Sequence, residues 1–188
     1  MTITNVQELL VHDLCELYDA ERRFLDGQVA MVHRATDVDL QRAIENHILQ
    51  TRRHIGNLEQ FFSELGEEPR RETNEVARVL VDEAEQGIQE SQGDVLRDCL
   101  INAAVIKVEH FEIGSYRSLI AGARLMMGEE SLSVYDLLET NLGQEEETAQ
   151  SAEQSAEKLL QKAVQAEAPE AEGLIDKINK AKNRLKGQ

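Results

Sequence analysis

The sequence predicts an all-α protein, and three features carry that prediction. Ala, Leu, Glu and Gln, which favour helix, are plentiful, whereas aromatic residues make up 4% of the 188 residues and Trp is absent. Pro69 and Pro169 are the two prolines, so the long stretch between them is free of this helix breaker. Apolar residues recur at steps of three and four along most of the chain.

The first two long helices follow from their start and stop signals. The first covers residues 5–35, with Thr4 as its cap. "TDVDL" supplies the capping signal for the second, which runs to residue 65 because Gly66 and Pro69 stop it. Both helices carry apolar residues along one face, which predicts that they pack against a core.

A short helix and two further long helices complete the predicted bundle. The short helix covers residues 73–90, and "SQGD" separates it from a long helix over residues 94–127. "GEES" leads into the fourth long helix, which ends near Val164. A long crossover between the second and third long helices, here carrying the short helix, distinguishes a ferritin-like four-helix bundle from a simple up-down one. We therefore predict a ferritin-like bundle over residues 1–165.

The remaining residues, 166–188, differ in composition from the bundle. "QAEAPEAEG" is predicted to be a linker. In "LIDKINKAKNRLKGQ", apolar residues at helical spacing alternate with Lys, Arg and Asn, which predicts a basic amphipathic helix. We expect this helix to dock on its own bundle or on a neighbouring subunit. A flexible tail is the next alternative, and an arm that binds membrane or nucleic acid is the least favoured.

The charge and the cysteines limit the partners and the location of the protein. A formal net charge of −16 would repel nucleic acid and anionic membrane surfaces. The N-terminus has no basic segment followed by a long apolar run, and no stretch is apolar enough to span a membrane, so we expect a cytoplasmic protein. Cys15 and Cys99 lie beside apolar stripes without a metal or disulfide spacing and are predicted to be small core residues.

Ionisable side chains interrupt the apolar face of every long helix near its midpoint. In the third, Glu109 and Glu112 lie within the stripe, one turn apart, with Tyr116 a further turn along. Gln50 lies on the flank of the second stripe. The stripes of the other three long helices include Glu21, His47, His54 and Glu145. Antiparallel packing would bring these midpoints together in one layer.

Four buried carboxylates in one layer need compensation, because burying even one unpaired charge costs several kcal/mol. Protonation of some carboxylates, cationic histidines or bound metal cations could each provide it. Two divalent ions would cancel four carboxylates and leave neutral imidazoles as ligands. Oxygen-rich ligation with histidine suits iron or manganese better than structural zinc.

With these residues placed, the chain resembles the YciF-like stress-protein family of the ferritin-like superfamily. The similar segments span about residues 5–163 and read "HDLCELYDAERRFLDG", "AIENHILQTRRHIGNLEQFF", "IKVEHFEIGSYRSLIAGA" and "VYDLLETNLGQEEETAQ". The resemblance implies a ferritin-like bundle, usually a homodimer, that is associated with bacterial stress responses and carries a di-metal site. It implies the same six site positions: Glu21, His47, His54, Glu109, Glu112 and Glu145.

Two positions depart from the pattern of that family. Gln50 stands where a glutamate is expected, and Ala149 stands where an acidic residue is usual. A glutamine can offer a carbonyl oxygen to a metal, but it brings no negative charge. The site could therefore hold two ions, one ion or none.

Two functions from different classes follow from these residues. In the first, the protein is a metal-binding stress protein that handles iron, oxygen or peroxide, with Gln50 as a weak ligand and Tyr116 bordering the site as a hydrogen-bond donor or radical sink. In the second, it is a non-enzymatic dimeric bundle whose buried Glu and His residues form a structural network. Whether it is an enzyme is left open. The sequence has no Ser/His/Asp set, P-loop or Gly-rich phosphate cradle, so hydrolases and nucleotide enzymes are disfavoured.

Overall fold

Five helices form the part of the chain that this computed structural model describes, which is residues 3–127 and 132–185, with side chains over 3–126 and 135–167. The helices are α1 (Val6–Val32), α2 (Val38–Glu64), α3 (Glu75–Glu90), α4 (Asp94–Met127) and α5 (Leu132–Leu185). No strand occurs within those ranges. The all-α class, with four long helices and a short one between the second and third, is confirmed. None of the described helices is both long and apolar enough to cross a bilayer.

The first cap differs from the prediction. Asn5, in extended conformation, caps α1 by accepting a hydrogen bond from the backbone N–H of Glu8. Thr4 lies one residue before the cap, and its backbone N–H and hydroxyl both donate to the Glu8 carboxylate, each over 2.7 Å. Glu8 therefore bonds back to the residue before the cap, as in a capping box displaced by one position. Threonine and asparagine are both favoured at the N-cap position, so the sequence alone did not distinguish Thr4 from Asn5.

The other helix ends follow the predicted signals closely. Asp37 caps α2 by accepting from the N–H groups of Asp39 and Leu40. Gly66, just after the C-cap of α2, has a φ of +69°, a conformation that residues other than glycine rarely adopt. The short helix α3 begins two residues later than predicted, because Asn74 caps it by accepting from Ala77 N–H.

The last helix is longer than predicted. The sequence analysis ended it near Val164 and placed a linker after it, but the backbone of α5 continues as helix to Leu185. Ala, Glu and Gln predominate in the "QAEAPEAEG" segment, and their helix propensity explains the continuation. The "GEES" connection, the stripe position Val134 and the side chains that would dock the basic tail lie outside the described residues. The division into two domains stays a prediction.

The four long helices pack with a crossover. Contacts that pair Tyr18 with Glu59 and Gln28 with Thr51 make α1 and α2 antiparallel. Other contacts make α1 antiparallel to α4, α2 antiparallel to α5, and α4 antiparallel to α5. Hence α2 and α4 run in the same direction, and the chain must travel back along the bundle between them. The short helix α3 makes that crossing, packed on α1 and α4.

The apolar core consists of two main clusters on either side of a polar layer. One cluster combines the N-terminal half of α1 with the C-terminal halves of α2 and α4, and includes Leu14, Phe61 and Leu119. The other combines the opposite halves and includes Met31, Ile101 and Leu159. Along α1, α4 and α5 the ionisable stripe residues lie between these clusters in sequence, as does His54 on α2, whereas His47 directly precedes Ile48 of the second cluster. Cys15 is buried and Cys99 half-buried, as predicted.

A buried carboxylate on α4 fastens the connection between α1 and α2. Asp98 is 3% exposed. It accepts hydrogen bonds from the backbone N–H and the hydroxyl of Thr36 over 2.8 and 2.7 Å, and from Asp37 N–H over 2.9 Å. These bonds fix the start of α2 against α4. They therefore also set the position of the α2 side chains along the bundle axis.

Candidate metal centre

Six predicted site residues come together in the polar layer between the two apolar clusters. None of them is more than 3% exposed. Glu21 comes from α1, and the remaining five come from α2, α4 and α5: His47, His54, Glu109, Glu112 and Glu145. Every long helix thus contributes at least one ionisable side chain. The prediction that the helix midpoints converge is confirmed, while metal binding by these residues stays a prediction.

Their ligand atoms form two adjacent groups. In one group are His47, Glu109, Glu112 and Glu145, and in the other Glu21, His54 and Glu145. Within each group one nitrogen or carboxylate oxygen per residue lies within 4.8 Å of all the others. Glu145 belongs to both groups, which is the arrangement expected of a carboxylate shared by two metal ions.

The histidines approach the carboxylates without forming hydrogen bonds to them. His54 Nδ1 lies 2.8 Å from Glu145 Oε1, and His47 Nε2 lies 3.0 Å from Glu109 Oε1. Both nitrogens nevertheless lack a hydrogen-bond partner, as does Glu145 Oε1. The atoms are therefore close together but not aligned along a donor–acceptor line. They are directed into a common space instead of at one another.

Unsatisfied polar atoms are concentrated in this layer. Across the part of the chain with described side chains, eight buried side-chain nitrogen and oxygen atoms have no hydrogen-bond partner, and all eight belong to the six residues. Glu112 is the extreme case, because neither of its oxygens has a partner. Buried polar groups are normally paired, and leaving one unpaired costs about 1–3 kcal/mol. This donor set fits metal cations, which would satisfy carboxylate and imidazole atoms together.

Burial dominates the electrostatics of the layer. It raises the pKa values of Glu21, Glu109 and Glu112, and the charge of Glu145 adds to the effect. Burial also opposes the charged form of His54, but the carboxylates of Glu145 and Glu21 outweigh it and raise the pKa of His54 to about 10. For Glu145 burial also favours the neutral form, but His54, Glu109 and His47 together outweigh it and lower the pKa. Without metal, the layer therefore favours one imidazolium–carboxylate pair among carboxyl groups that hold protons more tightly than usual.

Each histidine has an inner ring nitrogen near the carboxylates and an outer one on the other side of the ring. A glutamine contacts each outer nitrogen. Gln144 Oε1 lies 2.9 Å from His54 Nε2, and Gln50 Oε1 lies 3.3 Å from His47 Nδ1. A carbonyl oxygen can only accept, so each contact favours a proton on the outer nitrogen and a lone pair on the inner one when the ring is neutral. The expectation that Gln50 is a weak metal ligand stays a prediction. Its oxygen contacts the ring nitrogen that does not face the carboxylates, so Gln50 orients His47.

Tyr116 borders the layer as predicted. It is fully buried, its hydroxyl donates a short hydrogen bond to Glu21 Oε1, and it accepts one from Asn141 Nδ2 over 3.0 Å. Burial, with the charges of Glu21 and Glu145, raises the pKa of Tyr116 well above its ordinary value, so the phenol stays protonated. Tyr116 is thus a fixed donor to one candidate ligand.

The structure also shows which residues the sequence analysis misassigned or missed. Glu145 is the inward member of "QEEET", since the following Glu146 and Glu147 are exposed. Ala149 is buried and adds no ligand. Gln144 and Asn141 were not predicted as site residues. Their positions one and four residues before Glu145, on the same helix, are the signal that could have identified them.

Comparisons with known proteins agree with this fold. The model of the family DUF892, a domain of unknown function, matches residues 5–165. The chain is 27% identical over 120 residues to Protein YciF of Escherichia coli (strain K12), a match that covers 63% of this chain and 72% of YciF.

Two solved structures share the arrangement of helices. YcfI from Rhodopseudomonas palustris, described provisionally as a structural protein, is 29% identical, with a TM-score of 0.76 over 80% of this chain and 94% of its own. The E. coli stress protein YciF gives a TM-score of 0.78 at 24% identity, over 85% of this chain and 99% of its own.

Proposed function

The chain belongs to the YciF-like DUF892 family, and from the chemistry of its buried layer we propose that it is a stress-response protein that binds two divalent metal ions between its four long helices. One observation carries this proposal. The eight unpartnered buried atoms all belong to the six residues of the two ligand groups. A core selected only for packing or for internal hydrogen bonds would not collect its unsatisfied atoms in one place.

The two ligand groups assign residues to each ion. Glu109, Glu112 and His47 would hold one ion, Glu21 and His54 the other, and Glu145 is common to both. Carboxylates with imidazoles favour iron or manganese, and no thiolate is present among these ligands. Such ions would supply redox chemistry towards oxygen or peroxide, or iron itself would be the cargo.

The residues of the chain itself provide the surroundings for that chemistry. The two apolar clusters exclude water from above and below the layer, Gln50 and Gln144 orient the imidazoles, and the Tyr116 hydroxyl holds Glu21. The stress role follows the name of the E. coli relative, which is a stress protein. A homodimer and a cytoplasmic location belong to the same proposal.

A structural network is the second candidate, and the close pair formed by His54 and Glu145 favours it. Such an imidazolium–carboxylate pair could fix the register of α2 against α5 without any metal. The provisional description of the Rhodopseudomonas relative as a structural protein agrees with this candidate. A site reduced to a single ion lies between the two candidates.

Metal content after anaerobic loading with ferrous iron tests the proposal directly. After desalting, elemental analysis should give two irons per chain for the natural sequence. Glu112→Met should remove at least one of them, since it deletes two unpartnered oxygens. Glu146→Met, an exposed change on α5, is the matched control and should leave the metal content unchanged.

Thermal unfolding of the metal-free proteins separates the two candidates. If the layer exists to bind metal, Glu112→Met replaces an unpartnered carboxyl by an apolar side chain of similar size and should stabilise the metal-free form by about 1–3 kcal/mol. A structural network predicts a loss of stability instead. No binding of iron, manganese or zinc, together with a destabilised Glu112→Met variant, would refute the metal function.

A further inference from the structure

A cavity of about 210 Å³ between α2 and α5 leads from the surface towards the candidate metal centre. Its lining residues range from exposed to buried. Asn46, Glu147 and Ser151 are exposed, Gln50 and Thr148 are half-buried, and His47 is buried. The exposed residues therefore mark its mouth, and His47 is among the buried residues of its inner wall, as are Ile44 and Asn102.

His47 separates the cavity from the carboxylates. Of the six candidate ligands, it alone lines this cavity. Its Nδ1 edge meets Gln50 Oε1 at 3.3 Å and Thr148 Oγ1 at 3.4 Å, on the side of the ring that contacts cavity-lining residues. Its Nε2 points the other way and lies 3.0 Å from Glu109 Oε1 and 3.6 Å from Glu145 Oε2. The His47 ring therefore lies between this cavity and those two carboxylate oxygens.

Apolar and polar residues share the lining, and it is the polar residues that suit a hydrated cation. Amide and hydroxyl oxygens of Gln50, Thr148 and Ser151 can replace water ligands one at a time, and the carboxylate of Glu147 lies at the mouth. Among the described residues, neither lysine nor arginine lines the cavity, so no fixed positive charge opposes entry. The net charge of −16 draws cations towards the whole molecule.

We propose that this cavity is the entry route for divalent cations and that His47 is the first buried ligand they meet. The inference rests on the proposed metal function and adds to it the path and the order of contact. Gln50 and Thr148 receive the cation from water at the inner end of the cavity, and movement of the His47 ring passes it to the carboxylates. On the cavity side, the contacts of Nδ1 to Gln50 and Thr148 are both longer than 3.2 Å and therefore weak.

The rate of cation uptake tests this route, with cobalt(II) as the probe because bound cobalt absorbs visible light. Stopped-flow mixing of the metal-free protein with cobalt at low ionic strength gives the rate, and titration gives the final stoichiometry. Glu147→Lys should slow uptake roughly tenfold, because it places a positive charge at the mouth. Its final stoichiometry should equal that of the natural protein, since Glu147 is not a ligand.

Glu146→Lys is the matched control for this charge change. It is the neighbouring exposed residue on α5, pairs with Arg117 at 2.7 Å and does not line the cavity. The net charge changes equally in both variants. Any difference between their uptake rates must therefore come from the position of the new charge relative to the cavity. We expect uptake by Glu146→Lys to stay within about twofold of the natural rate.

A second pair of variants narrows the passage itself. Ala152 lines this cavity, whereas Ala104 lines a separate cavity of about 300 Å³ between α3 and α4, and both are 7% exposed. Ala152→Leu should slow uptake roughly tenfold without lowering the stoichiometry, and Ala104→Leu should leave the rate unchanged. If a leucine variant fails to fold, the lysine pair decides alone.

The outcomes for the route and for the function are distinct. If the natural protein takes up no cobalt and no iron, the metal function fails and the route fails with it. Normal uptake by the natural protein, with equal rates for Glu147→Lys and Glu146→Lys, would refute the route while leaving the metal function intact. Selective slowing of Glu147→Lys, reduced by added salt, would support both.

Discussion

Gln144 accepts a hydrogen bond from His54: its Oε1 lies 2.9 Å from His54 Nε2, on the opposite side of the imidazole from Glu145. The glutamine thereby holds Nδ1 in the ligand layer, beside the shared carboxylate. Partners of this kind orient metal-binding histidines and raise their basicity, and their loss typically costs 10–100-fold in affinity. Gln144 should therefore contribute to the metal centre without touching a metal.

Gln144→Leu tests this contribution. The variant should bind cobalt or iron about tenfold more weakly than the natural protein, because the His54 ring loses the contact that sets its orientation. Competitive titration against a chelator measures the affinity. Gln150→Leu, an exposed change on the same helix, should leave it unaltered. Equal affinities for the two variants would show that Gln144 has no part in the site.

Tyr116→Phe should destabilise the metal-free protein by about 1–3 kcal/mol. The change removes a donor from buried Glu21 and an acceptor from Asn141, and neither can turn to water. Tyr18→Phe is the comparator, since its hydroxyl also donates to a glutamate, Glu59, but from a less enclosed position. Urea unfolding should show the smaller loss for Tyr18→Phe, and a reversed order would contradict this account of Tyr116.

Asp98→Ala should be among the most damaging changes outside the metal centre. It leaves two backbone N–H groups and the Thr36 hydroxyl without their acceptor and should cost about 3 kcal/mol, because hydrogen bonds to a buried charge are strong. Asp94→Ala, an exposed change one turn earlier, should stay within about 0.5 kcal/mol. Denaturant unfolding at neutral pH measures both. A small effect of Asp98→Ala would mean that the loop rearranges to find other acceptors.

Asp37 should add a pH-dependent contribution to stability. The Lys162 ammonium, 2.5 Å away, and the N–H groups of Leu40 and Asp39 lower the pKa of Asp37 below its ordinary value. A carboxyl whose pKa falls on folding stabilises the protein above its unfolded pKa of about 3.9, and this contribution is lost as the pH falls through the folded pKa.

Asp37→Asn isolates this charge, because asparagine remains a good helix cap. The variant should lose less stability between pH 7 and pH 3 than the natural protein, by about 0.5–1 kcal/mol, since the pair with exposed Lys162 is weak. Urea midpoints at the two pH values give the difference. Asp26→Asn, on the exposed face of α1, provides the comparison, and an identical pH dependence of the two variants would contradict the assignment to Asp37.

Periodicity predicted the inward residues, and together with the start and stop signals it predicted the number and order of the helices. An ionisable side chain in the middle of an apolar stripe, such as Glu21 or Glu109, can only face the core once the helix packs, so the layer could be read from spacing. Helix α4 was predicted to the residue because Gly93, with a φ of +95°, marks its start. The inward position of Glu145 required only that "QEEET" be set in the right register, whereas its membership of both ligand groups came from the structure.

Contacts between helices were beyond what spacing could predict. The helical pattern placed Gln50 near the site, but which nitrogen of His47 it meets depends on the rotation and height of α2 against α5. Gln144 lies off the apolar stripe and reaches His54 because of the separation between those two helices. The extension of α5 was missed for another reason, since Pro169 and Gly173 suggested a break that the neighbouring alanines and glutamates overrode.

The place of Glu145 in the chain sets an order of events during synthesis. Glu21, His47 and His54 leave the ribosome early, on helices whose inner faces are still open to water, and any cation they hold can exchange freely. The residue common to both ligand groups comes only with α5, after the helices that carry the other five residues. In the proposed metal function, both ion positions would therefore be completed by one late step, the packing of α5.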